Sequence, residues 1–117
     1  MEGEKIVELV TEALEDIKAV DVQVIDVKGL SNVTDYMVIA SGTSRRHVKA
    51  LAEGVLVELK SKGLQPKGTE GADAADWVLV DMGDVVVHVM MPDTRAFYDL
   101  EKLWQPLSDD EPQDGTE

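Results

Sequence analysis

From Glu4 onward, apolar residues recur at helical spacing. Ile6, Leu9, Val10, Ala13, Leu14 and Ile17 fall three or four positions apart, with Glu8, Glu12, Glu15 and Asp16 on the opposite side. That pattern predicts a helix over roughly residues 4–18 with one buried face. The period then changes to two. In "VDVQVIDV", Val20, Val22 and Val24 alternate with Asp21 and Gln23, as a half-buried strand does. After the turn-rich "KGLSNVTD", the run "YMVIAS" is apolar without alternation and predicts a strand covered on both faces. Ser44 or Thr43 can cap a second helix over roughly 44–62. Its stripe is Val48, Leu51, Ala52, Val55, Leu56 and Leu59, and Gly63 is its stop.

"LQPKGTEGADAAD" reads as loop with a short edge strand before Gly68. "WVLVDMGDVVVHVMM" then reads as a hairpin turning at Met82-Gly83 and ended by Pro92. The last segment, "DTRAFYDLEKLW", predicts a short helix capped by Asp93 or Thr94. Phe97, Leu100, Leu103 and Trp104 form its buried stripe, and Tyr98 and Lys102 face away from it.

The order of these elements is helix, strand, strand, helix, edge strand, hairpin, helix. It predicts an α/β fold: a single small domain with a mixed sheet of about five strands and helices packed on it. At 117 residues and 44% hydrophobic content the chain can fill one core. The domain is expected over residues 1–106, with an acidic tail of disordered composition over 107–117. No apolar run approaches the roughly 20 residues of a membrane helix. The start, "MEGEKIVELV", leads with acids and has neither signal-peptide nor transit-peptide character. The absence of cysteine excludes disulfides, thiolate metal sites and cysteine nucleophiles. A cytoplasmic location is the expectation, bacterial rather than organellar.

Charge narrows the range of partners. There are 24 acidic and 11 basic residues, for a formal charge of −13. The last ten residues hold five acids and no base, so the body alone carries −8. A surface of that sign repels phosphate backbones, which argues for little or no direct nucleic-acid readout, and it suits a basic protein partner.

Three constellations invite chemistry. The turn from Ser41 to His47 precedes a helix N-terminus, with Arg45, Arg46 and His47 concentrating positive charge beside Ser44. That geometry can hold a phosphate or another anion. Neither G-x-x-x-x-G-K-[ST] nor G-x-G-x-x-G is present, so an ordinary cap with its bases paired to nearby acids competes with a nucleotide- or phosphate-binding site. Asp81 and Asp84 could hold a divalent metal for nucleotidyl transfer, but they flank Gly83, and Asp-x-Gly-Asp is good turn chemistry. His47 and His88, the only histidines, lack the further ligands a zinc site needs. No catalytic residue, metal or cofactor is expected.

The hairpin is more informative. A turn at Met82-Gly83 would place Asp81 opposite Asp84 and Trp77 opposite His88. Alternation puts Val78, Val80, Val85, Val87 and Val89 on one face and Trp77, Leu79, Val86, His88 and Met90 on the other. The second set mixes Trp, Met and His, a composition enriched at protein interfaces, unless another helix covers it.

Three stretches together resemble the ribosomal silencing factor family, RsfS, also called iojap or YbeB. They are "DYMVIASGTSRRHVKALAEGV", "DWVLVDMGDVVVHVM" and the closing "FYDLEKLW". The resemblance spans about Glu4 to Trp104, with Met37 standing where an aromatic is more usual. It implies a nucleotidyltransferase-like fold without the catalytic acids and a protein that is not an enzyme. Such a protein would bind the large ribosomal subunit through ribosomal protein L-fourteen and block joining of the small subunit, lowering translation in starvation or assisting late assembly. Family members are often homodimers. Carried onto this chain, the partner surface would comprise Asp76, Trp77, His88, Met90, Tyr98, Asp99 and Lys102.

Overall fold

Each predicted element forms. A computed structural model describes residues 2–103, and within them the order is α1 (Gly3–Asp16), β1 (Val20–Asp26), β2 (Tyr36–Ser41), α2 (Arg45–Ser61), β3 (Gly68–Glu70), β4 (Trp77–Asp81), β5 (Val85–Met90), α3 (Pro92–Tyr98) and α4 (Leu100–Leu103). The acidic tail and the Trp104 end of the predicted stripe lie outside the described residues. The strands make one mixed sheet in the order β1-β2-β5-β4-β3. Only β2 and β5 run parallel.

Both long helices lie on the same face of this sheet. α1 contributes Ile6, Val10, Ala13 and Leu14, and α2 contributes Val48, Leu51, Ala52, Val55 and Leu59. They close over Val38 and Ala40 of β2 and over the five hairpin valines, all fully buried. β-branched side chains on a pleated surface suit that role, because their single preferred rotamer loses little entropy on packing. α2 starts and stops as its sequence dictates. Ser44 Oγ accepts the His47 N–H at 3.0 Å, and Gly63 (φ +80°) ends the helix while Leu64 N–H returns to the Leu59 carbonyl at 3.0 Å.

The hairpin turns one residue later than the sequence suggests. Met82 N–H bonds to the Val85 carbonyl at 2.9 Å, so Gly83-Asp84 form the turn. A two-residue turn of this kind wants positive φ at its first central position, and Gly83 supplies it at +89°. Asp81 Oδ1 accepts the Gly83 N–H at 2.8 Å, which is the turn role foreseen for that acid. Asp81 consequently pairs with Val86, and Trp77 with Met90. Moving the centre of a turn by one residue moves every partner by two, so both predicted faces survive intact.

Three other expectations change. In β1, Asp21 adopts φ +53° and the register shifts between Val20 and Gln23, a bulge that breaks the alternation. Val20 and Val24 end up 44% and 45% exposed, and of the three valines only Val22 packs on the core. The edge strand occupies Gly68–Glu70 rather than the residues before Gly68. The final helix begins at Pro92, with Met91 as its N-cap, not at Asp93 or Thr94. Proline is well suited to the first helical position, where its missing N–H is no loss. The same helix breaks at Asp99, whose φ of +49° separates α3 from α4.

Candidate functional site

The sheet face opposite α1 and α2 carries a smaller apolar cluster. Met37, Ile39 and Met90 are buried there, with Ile25, Trp77 and Leu100 packed against them. At one end of this face, at the start of β4, Trp77 forms an aromatic ledge with the last helices. Its ring lies 4.9 Å from that of Tyr98, tilted by 50°, and Tyr98 meets Phe97 edge-on at 5.0 Å. Tyr98 is 50% exposed and Phe97 79%. Phe97 is therefore not the core residue that helical spacing predicts. The left-handed Asp99 interrupts the helical period, so Leu100 packs inward while Phe97 and Leu103 point to solvent.

Trp77 is held from below and from the side. Its indole N–H donates to Nδ1 of His88 at 2.9 Å, a diagonal contact across the hairpin, since Leu79 is the residue directly opposite His88. His88 itself is 5% exposed, and burial pushes its pKa down to about 4. An indole can only donate, so Nδ1 is the accepting nitrogen and the proton of the neutral ring sits on Nε2. That Nε2 is buried and has no hydrogen-bond partner. Beside Trp77, a groove of about 280 Å³ is lined by Glu70, Gly71, Trp77 and Leu79. Gly71 (φ +88°) is required at its floor, because a Cβ there would collide with the Trp77 carbonyl oxygen.

α3 and α4 are fixed to the sheet by Arg95. Its Nη1 donates to Ser41 Oγ at 2.9 Å, and its Nε and Nη2 reach Glu101 Oε2 at 3.0 and 2.7 Å. Asp21 Oδ2 stands 3.7 Å from the same guanidinium, and Arg95 is only 7% exposed. The clasp closes across the break at Asp99 and so sets where Tyr98 meets Trp77. Sequence periodicity does not reveal it, because neither Arg95 nor Glu101 belongs to an apolar stripe.

The structure gathers some of the residues expected at a partner surface and separates others. Trp77, Tyr98 and half-buried Asp76 form one patch, with exposed Asp99 and Lys102 at the end of α3 and on α4. His88 and Met90 lie inside the sheet face, under the ledge and not on it.

The residues of the anion-binding turn are engaged elsewhere. Ser44 caps α2. His47 Nδ1 accepts the Thr43 N–H at 2.8 Å, and its Nε2–H donates to the Ile17 carbonyl at 2.7 Å, joining the end of α1 to the start of α2. Arg45 pairs with Asp76 through contacts of 2.8 and 2.7 Å. Arg46 is exposed. This is the geometry of a capped turn in which Arg45 pairs with an acid and His47 joins two helices. Among the described residues, no cluster of three or more His, Asp or Glu could hold a metal ion, and no helix is long and apolar enough to cross a membrane.

Comparison with known proteins agrees with the fold. The chain matches the family described as "Ribosomal silencing factor during starvation" over residues 1–117. It is 50% identical to the ribosomal silencing factor RsfS of Chromobacterium violaceum, over 89% of this chain and 85% of that one. A crystal structure from the same organism superposes with a TM-score of 0.88 at 49% identity, covering 92% of each chain. The mouse protein named "Mitochondrial assembly of ribosomal large subunit protein 1" is 40% identical over 90% of this chain and 47% of its own length. This chain belongs to the ribosomal silencing factor family, RsfS.

Proposed function

We propose that this chain binds the large ribosomal subunit through ribosomal protein L-fourteen and stands where the small subunit must dock, repressing translation without chemistry. The observation that carries this reading is the ledge on the sheet face that α1 and α2 leave open, where exposed Tyr98 and Phe97 continue from a half-buried Trp77. Aromatic side chains that are half in water and rigidly stacked are the usual anchors of protein interfaces. The acids near them, Glu70, Asp76 and Asp99, extend a net charge of −13 and complement the basic surfaces of ribosomal proteins. Blocking a large docking partner needs only a specific footprint, about 800 Å² on each side. The cytoplasm of a bacterial cell is the location that fits this role.

The test is co-sedimentation of purified large subunits with the wild-type chain and with Trp77→Ala, followed by light scattering as small subunits are added. Wild type is expected to co-sediment and to slow subunit joining, and Trp77→Ala to do neither. Failure of the wild type to sediment with large subunits would remove the proposal. Use of the same ledge for self-association is read from the oligomeric state of both proteins by light scattering after size exclusion.

A further inference from the structure

The ledge rests on an imidazole that is expensive to keep where it is. His88 is nearly water-free, its Nδ1 takes the Trp77 indole N–H, and its protonated Nε2 has no partner. A buried donor without an acceptor destabilises the native state, and an apolar side chain of similar shape removes that cost. The surroundings are apolar and would accept such a side chain, since Met37, Ile39 and Met90 line the same face. The fold alone therefore does not account for histidine at this position. What histidine supplies and leucine cannot is an acceptor 2.9 Å from the indole nitrogen, which fixes the ring at the base of the ledge.

We propose that His88 is a positioning residue for partner binding: it acts through the Trp77 indole N–H, holding the ring against Tyr98, and does not itself touch the partner. The inference rests on the functional reading above, in which Trp77 anchors the large subunit. Pre-set anchors bind more tightly because less rotamer freedom is lost on association. A substitution at His88 should thus behave as a change in Trp77. Asparagine can offer Oδ1 where Nδ1 stands, whereas leucine offers nothing.

The experiment uses the full-length chain with His88→Leu, His88→Asn and Trp77→Phe, alone and combined. The first readout needs no ribosome. The Trp77 indole N–H resonance, identified by its loss in Trp77→Phe, should exchange slowly in wild type and His88→Asn, and rapidly in His88→Leu. Urea unfolding should find His88→Leu at least as stable as wild type. Affinity for purified large subunits should fall about tenfold in His88→Leu, stay within about threefold in His88→Asn, and show no further loss when His88→Leu is added to Trp77→Phe. Wild-type affinity in His88→Leu, an equal loss in the Trp77→Phe background, or marked instability of His88→Leu would each overturn the proposal. If Trp77→Ala binds large subunits as wild type does, the functional reading fails instead, and indole exchange still decides whether His88 holds the ring.

Discussion

Replacing Glu101 with glutamine should destabilise the domain by about 2–3 kcal/mol, through one group. Removing the partner of a buried charge typically costs about 3–5 kcal/mol, because the remaining ion keeps its desolvation penalty without compensation. Arg95 qualifies, being 7% exposed and held by Glu101 at 2.7 and 3.0 Å. Two features reduce the figure. The Glu101 side chain retains 26% of its exposure, and Asp21 stays 3.7 Å from the guanidinium as a second counter-charge. The neutral amide also keeps one hydrogen bond. Urea unfolding of wild type, Glu101→Gln, Arg95→Met and the double variant measures the pair directly, with the slope checked for constancy. For a domain of about 100 residues the single change corresponds to a fall in Tm of roughly 10 °C. The double variant should lose less than the sum of the two singles, since it leaves no orphaned charge. A loss below about 0.5 kcal/mol for Glu101→Gln, with additive singles, would refute the reasoning and leave Leu100 packing as what holds α3 and α4.

Other outcomes follow from neighbouring features. Burial holds His88 at about 4 against 6.5 in the unfolded chain, so the unfolded state binds more protons between those values and stability is lost as pH falls through that window. The loss approaches 3 kcal/mol by pH 4, and it should appear in the difference between wild type and His88→Leu, in which the carboxylates cancel, and be absent from His88→Leu alone. Phe97→Ser should change stability by less than about 0.5 kcal/mol in urea while weakening large-subunit binding, because the ring is 79% exposed; a loss near 3 kcal/mol would mean that it is core after all. Gly71→Ala should cost about 2 kcal/mol or more and also weaken binding, since positive φ and the Trp77 carbonyl both oppose a Cβ. His47→Leu should cost about 1–3 kcal/mol in the same assay, by orphaning the Thr43 N–H and the Ile17 carbonyl.

Where the core is two-sided and the periodicity is clean, the chain spells out its own fold. The stripes of α1 and α2, the unbroken run of β2 and the two faces of the hairpin all lie where hydrophobic spacing puts them. Three of the misplaced details share a cause: each depends on a residue in the left-handed region. Gly83 draws the turn one position along, Asp21 inserts the bulge that exposes Val20 and Val24, and Asp99 divides the last helix. Two of the three are aspartates, which tolerate that region without advertising it as glycine does. Polar spacing is silent about backbone sign, so Phe97 reads as core and stands in solvent.

The candidate site was legible in its residue types but not in its arrangement. Trp, Met and Tyr in the last third of the chain are residue types enriched at interfaces. Composition does not say that Tyr98 stacks on Trp77 while His88 lies beneath it, because that depends on a diagonal contact and on a clasp between Arg95 and Glu101. The anion-binding turn is the converse case. Its sequence carries the positive charge and small residues of a phosphate site, yet Ser44, Arg45 and His47 spend their hydrogen-bonding capacity within the protein. Arg45 pairs with Asp76, the residue immediately before Trp77, so the basic turn braces the start of the strand that carries Trp77. A helix cap, a helix-to-helix joint and a brace for the ledge account for Ser44, His47 and Arg45. The same geometry that could hold an anion instead stiffens the surface through which this chain is proposed to act.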